Sequence, residues 1–176
     1  MTAERLIFGN SVQGMLNALG ELTPEVKARL IELGVNPDKL LPAFSVPVYS
    51  KLLDFIGAQR FPRLEGNERD RALGQEFIRG FGRTFVGKAT LALGSVLGPM
   101  RATMRLTRTM RTVNNYSNAE AVPLSPRSVQ VWCHPVLRPW YYVGVFEQAG
   151  WELHGPAYKV ELQRFEQERA DFQISW

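Results

Sequence analysis

Apolar residues in the first part of the chain recur at helical spacing between clear start and stop signals. Over residues 12–19 they lie three or four positions apart and precede a glycine, which predicts a first helix. Thr23-Pro24 supplies an N-cap and a first-turn proline for a second helix, which Gly34 ends. Ser45 is expected to cap a third helix, which Phe61-Pro62 closes.

A fourth helix is predicted from about Asn67, and it carries the strongest apolar pattern. Its large side chains fall four positions apart on one face, and we expect this ridge to lie in the core: Leu73, Phe77, Phe81 and Phe85. Gly98-Pro99 then separates an apolar helix from a final basic helix that begins near Met100.

An alternating pattern replaces the helical one in the last third of the chain. Apolar and polar side chains alternate in three stretches, which predicts half-buried antiparallel strands at residues 129–133, 158–162 and 172–176. Between the first two of these, residues 139–149 return to helical spacing and stop at Gly150. One helix is therefore expected to pack across the sheet.

This change of pattern predicts an α+β protein, in which a helical N-terminal two thirds is followed by a small antiparallel β-β-α-β-β unit, and the alternating stretches account for three of its four strands. A length of 176 residues with 45% apolar composition suits one core, so a single domain over residues 1–176 is expected. Its helical part is residues 1–113, and its sheet part, which includes the packing helix, is residues 114–176.

Composition limits the cellular setting and the kinds of site. Cys133 is the only cysteine, so an intramolecular disulfide and a thiol-based zinc cluster are both excluded. The first ten residues lack the basic and apolar regions of a secretion signal, and the longest apolar stretch, residues 84–100, is interrupted by Lys88. We expect a cytoplasmic protein without a membrane span.

Charge is distributed unevenly, and the centre of the chain is basic. No acidic residue lies between Glu76 and Glu120, although the net charge is only +4. On one continuous helix Arg101, Arg105 and Arg108 would fall within about 60° of one another. Such a face binds carboxylate or phosphate, or is simply a solvated helix surface.

The basic helix and the turn that follows it are the candidate binding site. The turn offers amide donors, or else only forms the connection to the first strand. The candidate residues are Arg101, Arg105, Arg108, Arg111, Asn114, Asn115 and Tyr116. An anionic small molecule or an acidic protein surface is the expected partner, and a homodimer is an open alternative. Nucleic acid is not expected, because interleaved surface aromatics and a known motif are missing.

Catalytic and metal chemistry find no support in the spacing of reactive residues. Gly82 to Lys88 matches the phosphate-binding G-x-x-x-x-G-K pattern, but no strand is predicted before it and Ala89 stands where Ser or Thr is needed, so we expect glycine-mediated helix packing. Cys133 and His134 are neighbours in a predicted strand and point to opposite faces. We therefore predict no catalytic residues, no metal ligands and no cofactor, and expect the protein not to be an enzyme.

Several landmarks in fixed order resemble a paralogous family of uncharacterised proteins described from myxobacteria. They flank the arginine-rich segment and span nearly the whole chain: Leu73-Gly74-Gln75-Glu76-Phe77, Gly87, Leu97-Gly98-Pro99, Asn114-Asn115-Tyr116 and the closing Phe172-Gln173-Ile174-Ser175-Trp176. The resemblance implies no biochemical activity, because none is established for that family.

A remoter resemblance concerns the haem-based nitric oxide/oxygen sensor domains (HNOB). Phe77-Ile78-Arg79-Gly80-Phe81-Gly82, two further helices and a β-β-α-β-β end are similar to those domains and imply an HNOB-like fold. In the haem sensors a histidine before the sheet ligates iron and a Tyr-x-Ser-x-Arg motif holds the propionates. Residues 100–112 contain no histidine, and Val131 to Arg138 lacks the Tyr and Ser, so haem is not expected here.

These observations favour a non-enzymatic regulatory or small-ligand-binding module in cytoplasmic signalling, without haem. The alternative is a protein–protein interaction module that docks an acidic partner or another subunit through its basic helix face. The two hypotheses differ in whether a small molecule is bound.

Overall fold

Helices fill the first part of the chain and an antiparallel sheet the last, in the computed structural model, which describes residues 4–176. The helices are α1 (Gly9–Leu19), α2 (Pro24–Glu32), α3 (Val46–Arg60), α4 (Gly66–Phe81), α5 (Phe85–Met104), α6 (Leu106–Met110) and α7 (Pro139–His154). The strands are β1 (Leu6–Phe8), β2 (Ala43–Ser45), β3 (Asn118–Ser125), β4 (Ser128–His134), β5 (Lys159–Glu166) and β6 (Arg169–Ser175). The predicted α+β order with a β-β-α-β-β ending is confirmed.

The start signals predicted for the N-terminal helices are largely those that the structure uses. The Thr23 hydroxyl accepts a hydrogen bond from the Val26 N–H at 3.4 Å, and Pro24 opens α2. Ser45 directly precedes α3, although its side chain makes no capping hydrogen bond. A two-stranded sheet of β1 and β2, which the sequence pattern did not predict, places these helices against one another.

The predicted aromatic ridge is correct for three of its four members and wrong for Phe85. Phe77 and Phe81 are buried and stack with ring centroids 5.3 Å apart. However, α4 ends at Phe81, and the Thr84 hydroxyl caps a new helix by accepting from the Gly87 N–H at 3.0 Å. Phe85 is therefore the first residue of α5 and is 89% exposed.

The fully buried positions of α5 are small residues, and half of its large apolar side chains are exposed: Phe85, Leu93, Val96 and Met104. Only Gly87 and Thr103 are buried, whereas Val96 is 84% exposed. A Cβ atom at Gly87 would lie 1.8 Å from the Phe81 carbonyl oxygen, so this position requires glycine. The close approach of the two backbones takes the place of side-chain burial here.

The predicted separation at Gly98-Pro99 is confirmed, but the basic helix is not continuous. Gly98 has φ 73° and ψ 168°, which divides α5 into two helical limbs. The helix then breaks at Arg105, and α6 spans only five residues. The Thr107 hydroxyl accepts from the Ala119 N–H at 2.9 Å, so the second piece is tied to β3 and follows the sheet.

The C-terminal sheet has the strand order β3-β4-β6-β5, with all neighbours antiparallel. Its buried face packs against α7 and is formed by Val129, Val131, Cys133, Ala170, Phe172 and Ile174. The predicted helix end at Gly150 is wrong, since α7 continues to His154. Gly150 is instead a packing position, because a Cβ atom there would lie 1.9 Å from the Tyr158 ring.

Helix α7 joins the helical part to the sheet. Its Tyr141 belongs to the helical core, and its Val143 and Phe146 belong to the sheet core. On the other side α7 crosses α4 at two glycines: a Cβ atom at Gly144 would lie 1.9 Å from the Arg71 carbonyl oxygen, and one at Gly74 would lie 2.0 Å from that of Tyr141. The two cores are thus held together by a backbone-to-backbone helix crossing.

A matched pair of truncations tests whether Phe81 is buried and Phe85 is exposed. Phe81→Ala removes a buried ring, and we expect it to lower the free energy of unfolding by about 3–5 kcal/mol. Phe85→Ala removes an equal ring from solvent and should change the free energy of unfolding by less than about 0.5 kcal/mol. Urea unfolding followed by tryptophan fluorescence measures both. Equal losses in the two variants would contradict the exposed placement of Phe85.

Candidate functional site

A central cavity of about 190 Å³ lies where α3, α4 and α7 face the segment from α6 to Tyr116. Its walls are mainly apolar side chains, among them Leu53, Ile78, Met110 and Val145. The cavity lies between the helical core and the sheet core, because α7 lines it and belongs to both. Apolar walls with a few polar groups are typical of a small-molecule site, although this cavity is smaller than most such sites.

Four tyrosines are among the polar residues that line the central cavity. The hydroxyls of Tyr49 and Tyr141 are 2.9 Å apart and hydrogen-bonded, and both side chains are buried. Burial raises the pKa of each of these phenols above the ordinary value, so both stay neutral at physiological pH. Burial also raises the pKa of Tyr116 to about 12, and the Tyr142 hydroxyl pairs with that of Ser117 at 3.2 Å. The cavity therefore offers neutral hydroxyl groups.

Arg138 is the one charged residue among the described residues that line the central cavity, and its charge is compensated locally. Its guanidinium donates to Asp54 at 2.6 Å, to Ser50 at 2.9 Å and to Asp70 at 3.0 Å. These hydrogen bonds raise the pKa of Arg138 against the opposing effect of its partial burial. Because this arginine already has two carboxylate partners, its charge is not available to a ligand. Its hydrogen bonds connect the start of α7 to α3 and α4.

The three arginines predicted to share a helix face are all exposed. Among residues 4–176, none of the guanidinium groups of Arg101, Arg105 and Arg108 forms an ion pair. Arg105 and Arg108 line a second space of about 190 Å³, the α5–α6 groove, whereas Arg101 does not. The groove also includes Leu97 of α5 and Phe146 of α7. The break at Arg105 thus places two of the three arginines at one groove.

The other four predicted site residues lie between α6 and β3: Arg111, Asn114, Asn115 and Tyr116. The side chains of the first three form hydrogen bonds that stabilise the turn. Arg111 donates to the Asn115 carbonyl at 2.5 Å and to the Asn118 side chain at 2.6 Å. The Asn114 side chain accepts from the Ser117 N–H at 2.7 Å, and that of Asn115 accepts from the Leu6 N–H at 2.8 Å. These amides serve the turn and the first strand, while Tyr116 and Asn114 also line the central cavity.

The two motifs that resembled catalytic ones have structural places. In the G-x-x-x-x-G-K stretch, the Gly87 N–H is used by the Thr84 cap, and Gly87 packs on the Phe81 backbone, as the glycine-packing interpretation predicted. Cys133 is fully buried and its thiol pKa is raised by that burial, whereas His134 ends β4 exposed. Within residues 4–176, no group of three or more metal-ligating side chains is found.

Of the predicted site residues, only Asn114 and Tyr116 line the central cavity, and the sequence pattern did not show which other residues converge there. Tyr49 and Tyr141 are 92 positions apart, and Arg138 is 68 and 84 positions from its two aspartates. No helix of the described part of the chain has the length and apolar character that crossing a bilayer requires.

Comparison with sequence families identifies one match. The sequence model of a family described as a protein of unknown function (DUF2378) matches residues 5–176. A search of the curated proteins found no match to the chain.

Solved structures of H-NOX domains resemble the whole chain. A double variant of Tt H-NOX is 14% identical with a TM-score of 0.72, covering 96% of this chain and 94% of its own. An oxygen-binding H-NOX domain related to soluble guanylate cyclases is 15% identical with a TM-score of 0.69, covering 95% and 93%. An unliganded Fe(II) H-NOX mutant from K. algicida is 12% identical with a TM-score of 0.64, covering 96% and 95%. The HNOB-like fold is confirmed, and at these identities the likeness concerns the fold alone.

The buried tyrosine pair leads to a double-mutant prediction. Tyr49→Phe or Tyr141→Phe leaves the other hydroxyl buried without its partner, and we expect each to lower the free energy of unfolding by about 1–3 kcal/mol. The double variant removes both hydroxyls and should cost clearly less than the two single changes summed. Urea unfolding of all four proteins measures this. Strictly additive costs would contradict the pairing.

Proposed function

The chain belongs to the family described as a protein of unknown function (DUF2378), and we propose that it is a non-enzymatic regulatory module in cytoplasmic signalling that binds a small molecule, without haem, in the central cavity. The observation that carries the proposal is this apolar cavity with neutral hydroxyl groups between the two cores. Apolar cavities of about 150 Å³ accept a benzene-sized molecule. At about 190 Å³ the cavity suits a compact, mainly apolar ligand.

The position of the central cavity supports a regulatory role. One bound molecule would touch α3 and α4 of the helical core together with α6 and α7 next to the sheet. Occupancy would therefore favour whichever arrangement of these helices fits the ligand best, which is how binding biases a conformational equilibrium. One similar fold belongs to a domain described as oxygen-binding and related to soluble guanylate cyclases, which is consistent with small-molecule sensing.

The side chains of the central cavity do not fit an iron porphyrin. Haem iron in proteins is held by His, Cys, Met or Tyr. Among the described residues that line the cavity there is neither His nor Cys, and Met110 would be a single thioether ligand. The phenol of Tyr141 would have to ionise against its burial, and Arg138, the natural partner for a propionate, is already paired with Asp54 and Asp70.

The same groups argue for binding rather than catalysis. The hydroxyl groups in the cavity belong to neutral tyrosines, to serines and to threonines. Among the described residues that line the cavity there is no histidine, aspartate or glutamate that could act as a general base for them. A ligand here would be held by apolar contact and by hydrogen bonds to hydroxyls, without activation of a nucleophile.

Matched variants test the binding site with benzene as the probe. Val145 lines the central cavity, so Val145→Phe should fill it, whereas Val96→Phe adds the same ring at an exposed position. We expect saturation-transfer NMR to detect benzene bound to the wild type and to Val96→Phe, and not to folded Val145→Phe. Haem titration should give no sharp Soret band at one-to-one stoichiometry.

Two results would count against this proposal. Absence of benzene binding to the wild type, or equal binding to folded Val145→Phe, would remove the central cavity as a ligand site. A sharp one-to-one Soret band that is lost in Met110→Leu or Tyr116→Phe would show that haem is the ligand.

A second function is favoured by the exposed arginines that form no ion pair with any residue of the described part of the chain. Arg101, Arg105 and Arg108 could dock an acidic protein surface or another subunit, and such binding would weaken as salt rises, since the screening length is only about 8 Å at 0.15 M. Arg101→Glu/Arg105→Glu should abolish capture of that partner at low salt and leave the melting temperature unchanged. Identical capture by a folded double variant would contradict this function.

A further inference from the structure

The α5–α6 groove combines buried apolar side chains with exposed cationic ones. Leu97, Leu106, Phe146 and Ile174 line it, and the last two are almost fully buried. Arg105 and Arg108 stand at the same groove and are exposed. A space that combines apolar and cationic side chains suits a molecule with the same division.

The charge of the two arginines is not compensated by the groove itself. No Asp or Glu is among the described residues that line it, and none lies anywhere between Glu76 and Glu120 in the chain. Guanidinium groups bind carboxylates and phosphates through paired hydrogen bonds. Two of them at one groove therefore select an anionic head group over a neutral or cationic one.

The α5–α6 groove adjoins the central cavity. Both spaces are lined by Thr90, Leu106, Thr109, Phe146 and Ala149, so the same side chains form the wall between them. Each space is about 190 Å³ in size. An apolar chain bound at the arginines would therefore contact side chains that also line the central cavity.

We infer that the protein binds a single-chain amphiphilic anion, whose carboxylate or phosphate head pairs with Arg105 and Arg108 and whose alkyl chain lies against the apolar side chains of the groove. The inference rests on the proposed function, since it names the class of ligand that the binding module takes. In this arrangement the exposed arginines hold the head group, and the buried aromatic and aliphatic side chains beside them hold the alkyl chain.

Soluble amphiphiles below their micelle concentrations test the inference by isothermal titration calorimetry. We expect decanoate to bind and octanoate to bind about 15-fold more weakly, because each buried methylene contributes about fourfold. Decyltrimethylammonium has the same chain with a cationic head, and acetate has the head alone, so neither should bind measurably. Decyl phosphate, compared with decanoate, distinguishes a phosphate head from a carboxylate head.

Matched arginine variants locate the head group. Arg105→Gln/Arg108→Gln should weaken decanoate binding at least tenfold. Arg83→Gln/Lys88→Gln removes two charges from exposed positions of the same basic stretch outside the groove and should leave binding nearly unchanged. Circular dichroism and melting temperature confirm that both variants are folded. Equal weakening in the two variants would show attraction by net charge alone and would overturn the inference.

The two proposals can fail separately. Benzene binding without decanoate binding, or binding of an acidic peptide in place of decanoate, overturns the amphiphile and leaves the central cavity as a ligand site. If the protein binds decanoate through Arg105 and Arg108 but binds no benzene, the groove is supported as a ligand site and the central cavity is not a separate site. Loss of both overturns both.

Discussion

The crossing of α4 and α7 is the contact on which the rest of the structure depends. Gly74 and Gly144 let the two backbones touch, and no other residue fits at either position without moving a carbonyl group. Beside the crossing, the Arg71 guanidinium holds the nearly buried Glu147 carboxylate with two hydrogen bonds of 2.6 and 2.7 Å. Since Glu147 is buried, loss of Arg71 would leave its charge unpaired, and the crossing is therefore specified by charge as well as by shape.

Both candidate spaces are consequences of that crossing. Because α7 is fixed against α4, one side of it faces the helical core and the other the sheet, and its aromatic side chains form a continuous row. Ring centroids are 6.0 Å apart from Phe77 to Tyr141 and 5.3 Å apart from Phe146 to Phe172 at the other end. The central cavity and the α5–α6 groove both lie against this row, and Phe146 lines the two of them.

Features that depend on neighbouring residues could be predicted from the sequence, and features that depend on distant ones could not. The Thr23-Pro24 start, the Gly98-Pro99 break and the alternating strands are local in origin and were predicted correctly. Gly150 was misassigned because a glycine either ends a helix or admits a neighbouring side chain, and the packing of Tyr158, which follows the helix, decides which. The Arg138 network and the Tyr49–Tyr141 pair join residues far apart in the chain, and no spacing rule reaches that far.

The packing of α5 through small residues has a consequence for the dynamics of the protein. Because α5 fully buries only Gly87 and Thr103, it buries less apolar surface than α4 or α7, and we expect its local free energy of opening to be lower. Its backbone amides are accordingly expected to exchange with solvent before those of the helices beneath. Since Thr90 and Leu91 belong to α5 and also line the central cavity, a brief opening of this helix alone would admit a molecule to the interior while both cores stay folded.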